Sequence, residues 1–386
     1  MKLLFVTSIF PPDIGGPATY VPTMANCLYK QGIEVSVITF SDNIFYSCDK
    51  FFPFNILRVK RKQGFLKRHL SYFSRLVKFI SKIDILFVNS MTLLPHVFVL
   101  AFLYKKPIVL KFVGDCVWEK LSAKGAISDS FGEFLNKRYS VNIELLKKIR
   151  NILLKIPDKI IVPSCYLKNC LIKMGVEENK IKVIYNAVEF TEEINSEKEI
   201  KLPFKEVNFI IITVCRLIPW KGVYDIINVL TRFPKNIGLI VIGDGPEREK
   251  IESMVKNFSL TDRVYLPGSL EKKRVISFFK KADLFVLNSL YEGMPHVIIE
   301  ALLAGLPVVA TKVGGTPEVV RDGVSGFLIP PNDEEALYRN IKRFVDNPRL
   351  LEKLPDKREI KRIKESFSVE KMVKETLDVL MSVSND

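Results

Sequence analysis

The sequence predicts an α/β protein made of two doubly wound domains, each built on a parallel sheet. Its 386 residues are too many for one ordinary hydrophobic core, so two domains are expected. Short, continuously apolar runs alternate with helical patterns in both halves, as is typical of parallel strands that helices bury on both faces. Residues 189–206 are rich in charge and lack a sustained apolar period, which predicts a linker between the domains.

The apolar runs predict the strands in chain order. In the first domain, residues 1–188, they are residues 3–7, 35–40, 56–59, 85–88, 108–113, 159–162 and 182–185. In the second domain, residues 207–366, they are residues 209–214, 239–243, 264–268, 283–287, 307–311 and 326–330. Residues 367–383 have the pattern of a final amphipathic helix. Paired Rossmann-like domains bind ligands at the carboxyl ends of their strands, so we expect a site in a cleft where the two domains face each other.

Composition excludes several classes of protein. The longest apolar stretch, Leu93–Tyr104, contains Pro95 and His96 and is shorter than the roughly 20 residues of a membrane-spanning helix. The apolar N-terminus is better explained as a first strand than as a signal peptide. Six cysteines without a CxxC pair, and only three histidines, indicate neither a disulfide framework nor a zinc site. We therefore expect a cytoplasmic globular protein.

Nearly all of the net charge of +15 lies in the first half of the chain. Residues 1–190 hold 28 basic and 14 acidic residues, a net +14, whereas the other 196 residues hold 30 and 29, a net +1. No acidic residue occurs between Lys50 and Ile83, a span that contains ten Lys and Arg residues. This basic block predicts an anionic partner surface.

Residues 64–83 of the basic block combine their cations with an apolar helical period. Such a helix either lies on an anionic membrane or packs on the sheet with its cations in water, and both descriptions can hold together. Nucleic acid is not expected as the partner, because no aromatic-basic recognition motif accompanies the charge.

One stretch of the second half predicts a strand end, a turn and a helix that together form a ligand site. Pro295 suits the first helical position, and the free amides of Gly293 and Met294 before it can point at an anion. Glu292 on the turn and Glu300 on the helix provide carboxylates that accept hydrogen bonds from hydroxyl groups. A nucleotide sugar would satisfy both kinds of group. The alternative is a pair of solvated glutamates around an ordinary turn.

Three further segments of the second half are candidates for the same site. Arg216 and Lys221 flank a turn after the first strand of that domain, and a forked guanidinium with an ammonium group suits a diphosphate. Otherwise, both cations would be solvated. Gly243 follows the next strand and starts an incomplete dinucleotide fingerprint. Gly314 and Gly315 offer another pair of amides that can close around phosphate or sugar.

The first half contributes weaker candidates. Gly15 and Gly16 precede a helical pattern, where backbone amides and the helix dipole favour an anion, although a simple loop explains them equally well. Asp115 follows the fifth strand and either accepts a hydrogen bond from a substrate hydroxyl or forms a helix cap or an Asx turn.

Together these motifs resemble the retaining glycosyltransferases of family 4, which have the GT-B fold. The motifs that carry the resemblance run along the whole chain: Gly15-Gly16, Asn186-Ala187-Val188, Arg216 with Lys221-Gly222, Gly243-Asp244-Gly245-Pro246, Glu292-Gly293-Met294-Pro295 with Glu300, and Gly314-Gly315 with Glu318.

The resemblance implies a role for each motif. Arg216 and Lys221 would bind the donor diphosphate and stabilise its negative charge as it leaves. Glu300 would hold the nucleotide ribose, and Glu292 with the amides that follow it would face the donor sugar. Gly16 would offer amides to the diphosphate from the first domain.

Two further expectations come from the comparison with this family. Many members have a histidine where this chain has Asp115, and Asp115 would take over that contact to the sugar. The family's last helix crosses back onto the first domain, which is expected here for residues 367–386. In addition, the chain has no Asp-x-Asp motif, so cations and amides would neutralise the diphosphate, and neither a metal nor another cofactor is expected.

The predicted function is a metal-independent retaining transferase. It would move a hexose-type sugar from a UDP- or GDP-linked donor to a lipid-linked or cell-surface glycan acceptor, in the cytoplasm and peripheral to the inner membrane face. The alternative is a catalytically inactive, membrane-associated binding module with the same fold.

Overall fold

The computed structural model describes residues 1–127, 129–190 and 202–384, with the side chains of residues 65 and 66 excepted. Within these residues the chain divides into two compact units. Unit 1 comprises Met1–Ser122, Phe131–Asn186 and the chain from Glu370 onward, and unit 2 comprises Ala123–Ser130 and Ala187–Val369. Most of the predicted linker falls on residues 191–201, which lie outside the described residues.

Unit 1 is built on a parallel sheet of seven strands. The strands are β1 (Lys2–Thr7), β2 (Glu34–Ser41), β3 (Asn55–Lys60), β4 (Ile85–Val88), β5 (Ile108–Lys111), β6 (Lys159–Val162) and β7 (Ile181–Val183). Their order is β3-β2-β1-β4-β5-β6-β7, and every pair is parallel. The helices are α1 (Gly16–Lys30), α2 (Phe65–Ile80), α3 (Leu94–Leu103), α4 (Cys116–Ala123), α5 (Phe131–Asn136), α6 (Val141–Leu154), α7 (Cys165–Lys173) and, after unit 2, α16 (Val369–Ser384).

Unit 2 is built on a parallel sheet of six strands. The strands are β8 (Phe209–Val214), β9 (Ile237–Ile242), β10 (Val264–Gly268), β11 (Leu284–Leu287), β12 (Val308–Thr311) and β13 (Gly326–Ile329), in the order β10-β9-β8-β11-β12-β13. The helices are α8 (Val223–Thr231), α9 (Arg248–Asn257), α10 (Lys272–Phe279), α11 (His296–Leu303), α12 (Thr316–Val319), α13 (Glu334–Asp346), α14 (Arg349–Lys353) and α15 (Lys357–Ser366).

The predicted fold class is confirmed, because each unit is a doubly wound parallel sheet. The central strands are buried along their whole length, as continuous apolar runs predict: every residue of β9, β11 and β12 is buried. The division into units differs from the predicted boundaries at residues 123–130, which group with unit 2. This segment lies between strands β5 and β6, so no sheet pairing ties it to unit 1.

Helix α2 is the amphipathic helix predicted from the basic block. Tyr72, Leu76 and Ile80 are buried, whereas Lys67 and Lys78 are exposed. Its apolar stripe therefore packs inward while its cations face water, which agrees with the description as a helix that covers the sheet. No helix in the described part of the chain is long and apolar enough to cross a membrane.

In each sheet the connections diverge beside the first strand. Strand β1 lies between β2 and β4, and β8 lies between β9 and β11. Loops at the carboxyl ends of such neighbours separate in opposite directions, which opens a ligand-sized crevice. The residues predicted for the donor site in unit 2 follow β8, β9, β11 and β12, except Glu300, which lies on α11.

Candidate active site

Three loops meet at the carboxyl edge of the unit 2 sheet. They span residues 215–222 after β8, 288–295 after β11 and 312–315 after β12. These strands are adjacent and parallel, so the loops lie side by side. Together they carry most of the residues predicted for the donor site.

Lys221 and Glu292 form an ion pair between the first two of these loops. Lys221 Nζ lies 2.6 Å from Glu292 Oε1, and the Ser289 hydroxyl donates to the same oxygen at 2.7 Å. The two charged side chains are largely buried, with 16% and 10% of their surfaces exposed. The sequence predicted both residues for the site, but not the bond between them.

One oxygen of Glu292 and the whole guanidinium of Arg216 remain available to a ligand. Both bonds to Glu292 use Oε1, and the carboxylate makes no further hydrogen bond within the described residues. Oε2 can therefore accept a bond from a ligand hydroxyl group. Arg216 is exposed, and in the same part of the chain its side chain makes no ion pair. This cation keeps its full charge for an anion.

Backbone amides before α11 complete the polar groups at this edge. Among the described residues, the amides of Gly293 and Met294 donate to no protein acceptor. The prediction that Pro295 occupies the first helical position is wrong by one residue, since Pro295 is the N-cap and α11 begins at His296. With φ −82° and ψ 86°, Pro295 has left the helical region, so the turn extends one residue further than predicted.

The glycines at this edge allow neighbouring loops to touch, backbone against backbone. A Cβ on Gly243 would lie 1.9 Å from Cys215 O, and one on Gly314 would lie 1.7 Å from Glu292 O. The Gly315 amide already donates to Glu292 O at 2.9 Å. The predicted role of Gly315, an amide that closes around phosphate or sugar, is therefore wrong. Gly243 and Gly314 also fix the loops that carry Arg216 and Glu292.

Glu300 lies in the middle of α11 and is mostly buried. Its Oε1 lies 3.4 Å from Nζ of Lys272, the first residue of α10. Burial raises the pKa of the Glu300 carboxyl above its ordinary 4.5, and the Lys272 charge opposes that rise only in part. Ionisation leaves both carboxylate oxygens as acceptors for hydroxyl groups, so the raised pKa makes the strength of this role dependent on pH.

Glu300→Gln is expected to separate stability from donor affinity. The folded pKa of Glu300 lies above the unfolded one, so ionisation of Glu300 lowers stability as the pH rises through this window. In the variant, stability should no longer fall with rising pH through this window, because Gln does not ionise. Its donor affinity should fall about tenfold at neutral pH. Melting temperature and calorimetric donor titration, each measured against pH, check both effects. Glu352→Gln, on exposed surface of α14, should change neither, and an unchanged donor affinity in Glu300→Gln would contradict the assigned role.

Unit 1 presents a glycine turn at the start of α1. Gly15 has φ 148°, a backbone conformation that favours glycine, and α1 begins at Gly16. Within the described residues the Gly15 and Gly16 amides donate to no protein acceptor. Arg58 fixes the preceding loop, because its buried guanidinium donates to Pro11 O and pairs with both carboxylate oxygens of Asp49. No local pattern in the sequence predicts this contact.

Asp115 is a structural residue, so the predicted sugar contact is wrong. Its side chain is fully buried. Oδ1 accepts from the amides of Val117 and Trp118, which caps α4, and Oδ2 pairs with the buried Arg150 guanidinium. The alternative of a helix cap, which the sequence left open, is the one that these contacts support. The buried Arg150 guanidinium, which occupies Oδ2 of Asp115, distinguishes the helix cap from the sugar contact.

Asp115→Asn is expected to destabilise the protein by about 3 kcal/mol, since it leaves the Arg150 charge buried without its partner. Urea unfolding measures the loss. Asp42→Asn, which breaks an exposed pair with Arg61, should cost less than about 1 kcal/mol. Donor KM should be unchanged in folded Asp115→Asn. A large rise in donor KM with unchanged stability would contradict the structural role and support a contact between Asp115 and the donor sugar.

Two polar residues directly after β11 were not assigned roles from the sequence. Ser289 holds Glu292 as described above. The Asn288 amide donates to Asp225 Oδ2 at 2.8 Å and to Gly222 O at 3.4 Å, which ties the loop after β11 to the start of α8. Their position directly after a fully apolar strand was the feature of the sequence that could have indicated a role for them in the site. In the described part of the chain, no group of three or more His, Cys, Asp or Glu side chains is arranged to hold a metal ion.

Comparisons with known proteins agree with this geometry. The family model described as Glycosyltransferase Family 4 matches residues 14–192, and the one described as Glycosyl transferases group 1 matches residues 195–361. An uncharacterised glycosyltransferase of Methanocaldococcus jannaschii is 29% identical over 97% of this chain and 96% of its own length. Another from that organism is 31% identical over 59% of each chain, so this chain spans about three-fifths of that relative.

A solved structure extends the likeness to the fold of the whole chain. HepE from Anabaena, determined in complex with UDP-glucose, has a TM-score of 0.78 and is 20% identical. The likeness covers 99% of this chain and 100% of that one. At this level of identity the comparison shows a common fold.

Proposed function

Because the chain belongs to the group 1, family 4 glycosyltransferases and has the GT-B fold, we propose that its donor is a nucleotide diphosphate sugar, UDP- or GDP-linked. The observation that carries this proposal is the Lys221–Glu292 pair beside Arg216 and the free amides of Gly293 and Met294. Cations and amides suit a diphosphate, and carboxylates suit sugar hydroxyls. HepE, the structural relative, was solved with such a donor.

The proposed reaction transfers a hexose-type sugar with retention of its anomeric configuration, as in the family. The bond between the anomeric carbon and the diphosphate oxygen breaks, and that oxygen takes up the negative charge. Arg216 and Lys221 stabilise this charge, and the bond to Glu292 already holds Lys221 in place. The acceptor hydroxyl adds on the same face of the sugar, and its proton passes to the leaving phosphate. No enzymic nucleophile is assigned.

Glu292 and Glu300 position the donor in this proposal. Glu292 Oε2 accepts from a hydroxyl group of the transferred sugar, and Glu300 accepts from the ribose hydroxyls. On binding, the diphosphate shares the Lys221 ammonium with Glu292, so the pair becomes a three-membered network. Such prior placement lowers the entropy that is lost in reaching the reactive geometry.

We further propose that neither a metal nor another cofactor is required. Arg216, Lys221 and two backbone amides would neutralise the negative charge of the diphosphate, which a divalent ion neutralises in other enzymes. Chelation with EDTA is therefore expected to leave turnover within about twofold of the untreated enzyme. A loss of turnover that Mg²⁺ or Mn²⁺ restores would contradict this point.

The proposed acceptor is a lipid-linked or cell-surface glycan, with the enzyme cytoplasmic and peripheral to the inner membrane face. The support is the basic block at residues 50–83: α2 buries its apolar stripe and leaves Lys67 and Lys78 exposed toward an anionic surface.

A donor panel tests the proposed function. The melting temperature is measured with UDP- and GDP-linked hexoses, since a ligand that binds only the folded state raises it. Release of nucleoside diphosphate is then followed with polyprenyl-linked and glycolipid acceptors. We expect one donor to stabilise the protein and to be consumed. Stabilisation without consumption by any acceptor would favour the inactive binding module, and no stabilisation by any donor would contradict the proposal.

A further inference from the structure

Helix α6 of unit 1 has its polar and apolar faces reversed relative to a helix that covers a sheet in water. Its buried face carries Lys147 and Arg150 in addition to Leu154. Its outward face carries large apolar side chains at helical spacing, each about half exposed or more: Val141 (84%), Leu145 (55%), Leu146 (46%), Ile149 (45%) and Ile152 (57%). We call these five residues the α6 row.

The buried charges hold the α6 row outward. Lys147 Nζ donates to Lys137 O at 2.9 Å and to Glu144 Oε1 at 3.0 Å. Arg150 pairs with the buried Asp115. A rotation of α6 that buried the apolar side chains would break the bonds to Lys137 O and Asp115, which lie outside the helix, and leave charges without these partners, which is strongly unfavourable. The exposure of the α6 row is therefore built into the fold.

A second apolar surface lies beside the end of α6. Helix α3 has no charged residue, and Val99, Phe102 and Leu103 are exposed by 48%, 74% and 66%. A cavity of about 840 Å³ is lined by Phe102 and Leu103 from the end of α3 and by Ile156, just after α6. The cavity thus lies at the end of α3, and Ile156 places it next to the end of α6.

Positive charge surrounds this apolar surface. The cavity lining contains one acid, Asp158, whose Oδ2 already accepts from the Ile108 amide at 2.7 Å. The lining also contains four lysines, so its net charge is +3: Lys105, Lys106, Lys159 and Lys180. Two more exposed lysines, Lys148 and Lys155, border the α6 row.

We propose that the α6 row and the lysine-lined cavity beside α3 form a docking surface for an anionic phospholipid membrane. Apolar side chains enter the boundary between headgroups and acyl chains, and lysines contact the lipid phosphates. This surface is distinct from the basic block on α2, and its binding does not require transferase activity. A second copy of the chain fits less well, because a twofold contact would bring the same lysines against each other.

Vesicle flotation with the full chain tests the proposal. Wild-type protein should float with vesicles of phosphatidylcholine and roughly one-third phosphatidylglycerol, and much less with phosphatidylcholine alone. Leu145→Glu with Ile149→Glu should lower the partition coefficient at least about tenfold, because two inserted side chains are lost. Phe258→Glu with Val324→Glu is a matched control in unit 2, where two exposed apolar side chains (44% and 37%) gain the same charge without loss of binding. Melting temperatures should be similar in all three proteins, because the changed side chains are exposed.

A second variant distinguishes insertion from surface attraction. Ile149→Trp keeps the α6 row apolar, and its added fluorescence should be quenched by brominated lipids beyond the quenching of the wild type. Lys67→Ser with Lys78→Ser should weaken binding only at low salt if α2 contributes electrostatics alone. The proposal is overturned if Leu145→Glu with Ile149→Glu floats as well as the wild type, or if vesicle-bound Ile149→Trp shows no extra quenching. A wild-type dimer that binds no vesicles and becomes monomeric in the glutamate variant would also overturn it.

Discussion

Turnover of the nucleotide-sugar donor is expected to fall by about 10²–10³-fold when Lys221 is replaced by Ala. Two effects combine in this variant. The leaving diphosphate loses an ammonium group that the fold holds in position. In addition, the largely buried Glu292 carboxylate keeps only the Ser289 hydroxyl as a partner, so its position is less restrained. The measurement is kcat and KM from release of nucleoside diphosphate, together with the melting temperature.

Three further variants separate these two effects. Lys235→Ala removes an exposed lysine of the same unit and should leave turnover unchanged. Lys221→Arg keeps the charge and should retain more activity than Lys221→Ala. Lys221→Ala with Glu292→Gln removes the uncompensated carboxylate charge, so it should recover melting temperature but not turnover. If Lys221→Ala turns over donor within a few-fold of the wild type, Lys221 does not stabilise the leaving group.

The sheets were predictable because parallel strands buried on both faces leave a strong local pattern. In β9, six consecutive residues are buried, and the sequence shows the matching apolar run. The edge that carries the site was predictable for a related reason. The carboxyl ends of such strands coincide, so Arg216, Lys221 and Glu292 were expected near one another. Their direct contacts were not, because the Lys221–Glu292 bond joins residues 71 apart and depends on β8 lying beside β11.

Residues whose role depends on a distant partner were the ones that local patterns misassigned. An Asp just before a helix has the same local sequence whether it caps the helix or binds a sugar. For Asp115, the ion pair with Arg150, 35 residues away, shows that the side chain has a structural role. A glycine after a strand has the same ambiguity, because a ligand and a neighbouring loop both require the missing side chain. At Gly314 a neighbouring loop requires the missing side chain, since a Cβ there would meet Glu292 O, and its predicted amide role stays a prediction.

Gly314→Ala is expected to reduce the unfolding free energy by more than about 3 kcal/mol and to abolish donor binding. The new Cβ would lie 1.7 Å from Glu292 O and 2.7 Å from Glu292 C, so the backbone of Glu292 must move. That movement separates Glu292 from Lys221 and displaces the Gly293 amide. The site is therefore lost even where the protein still folds. Urea unfolding and calorimetric donor titration measure the two losses.

Gly305→Ala isolates the steric part of this effect. Gly305 in the same unit also has a positive φ, 86° against 54° for Gly314, but a Cβ there would meet no atom within 4 Å. It should therefore cost only the roughly 1–2 kcal/mol of a left-handed backbone conformation and leave donor affinity intact. Equal losses of unfolding free energy and donor affinity in both variants would mean that the left-handed backbone conformation alone explains the requirement for glycine at position 314. A larger loss in Gly314→Ala, with donor binding abolished, would show that contact between two loop backbones sets the position of Glu292.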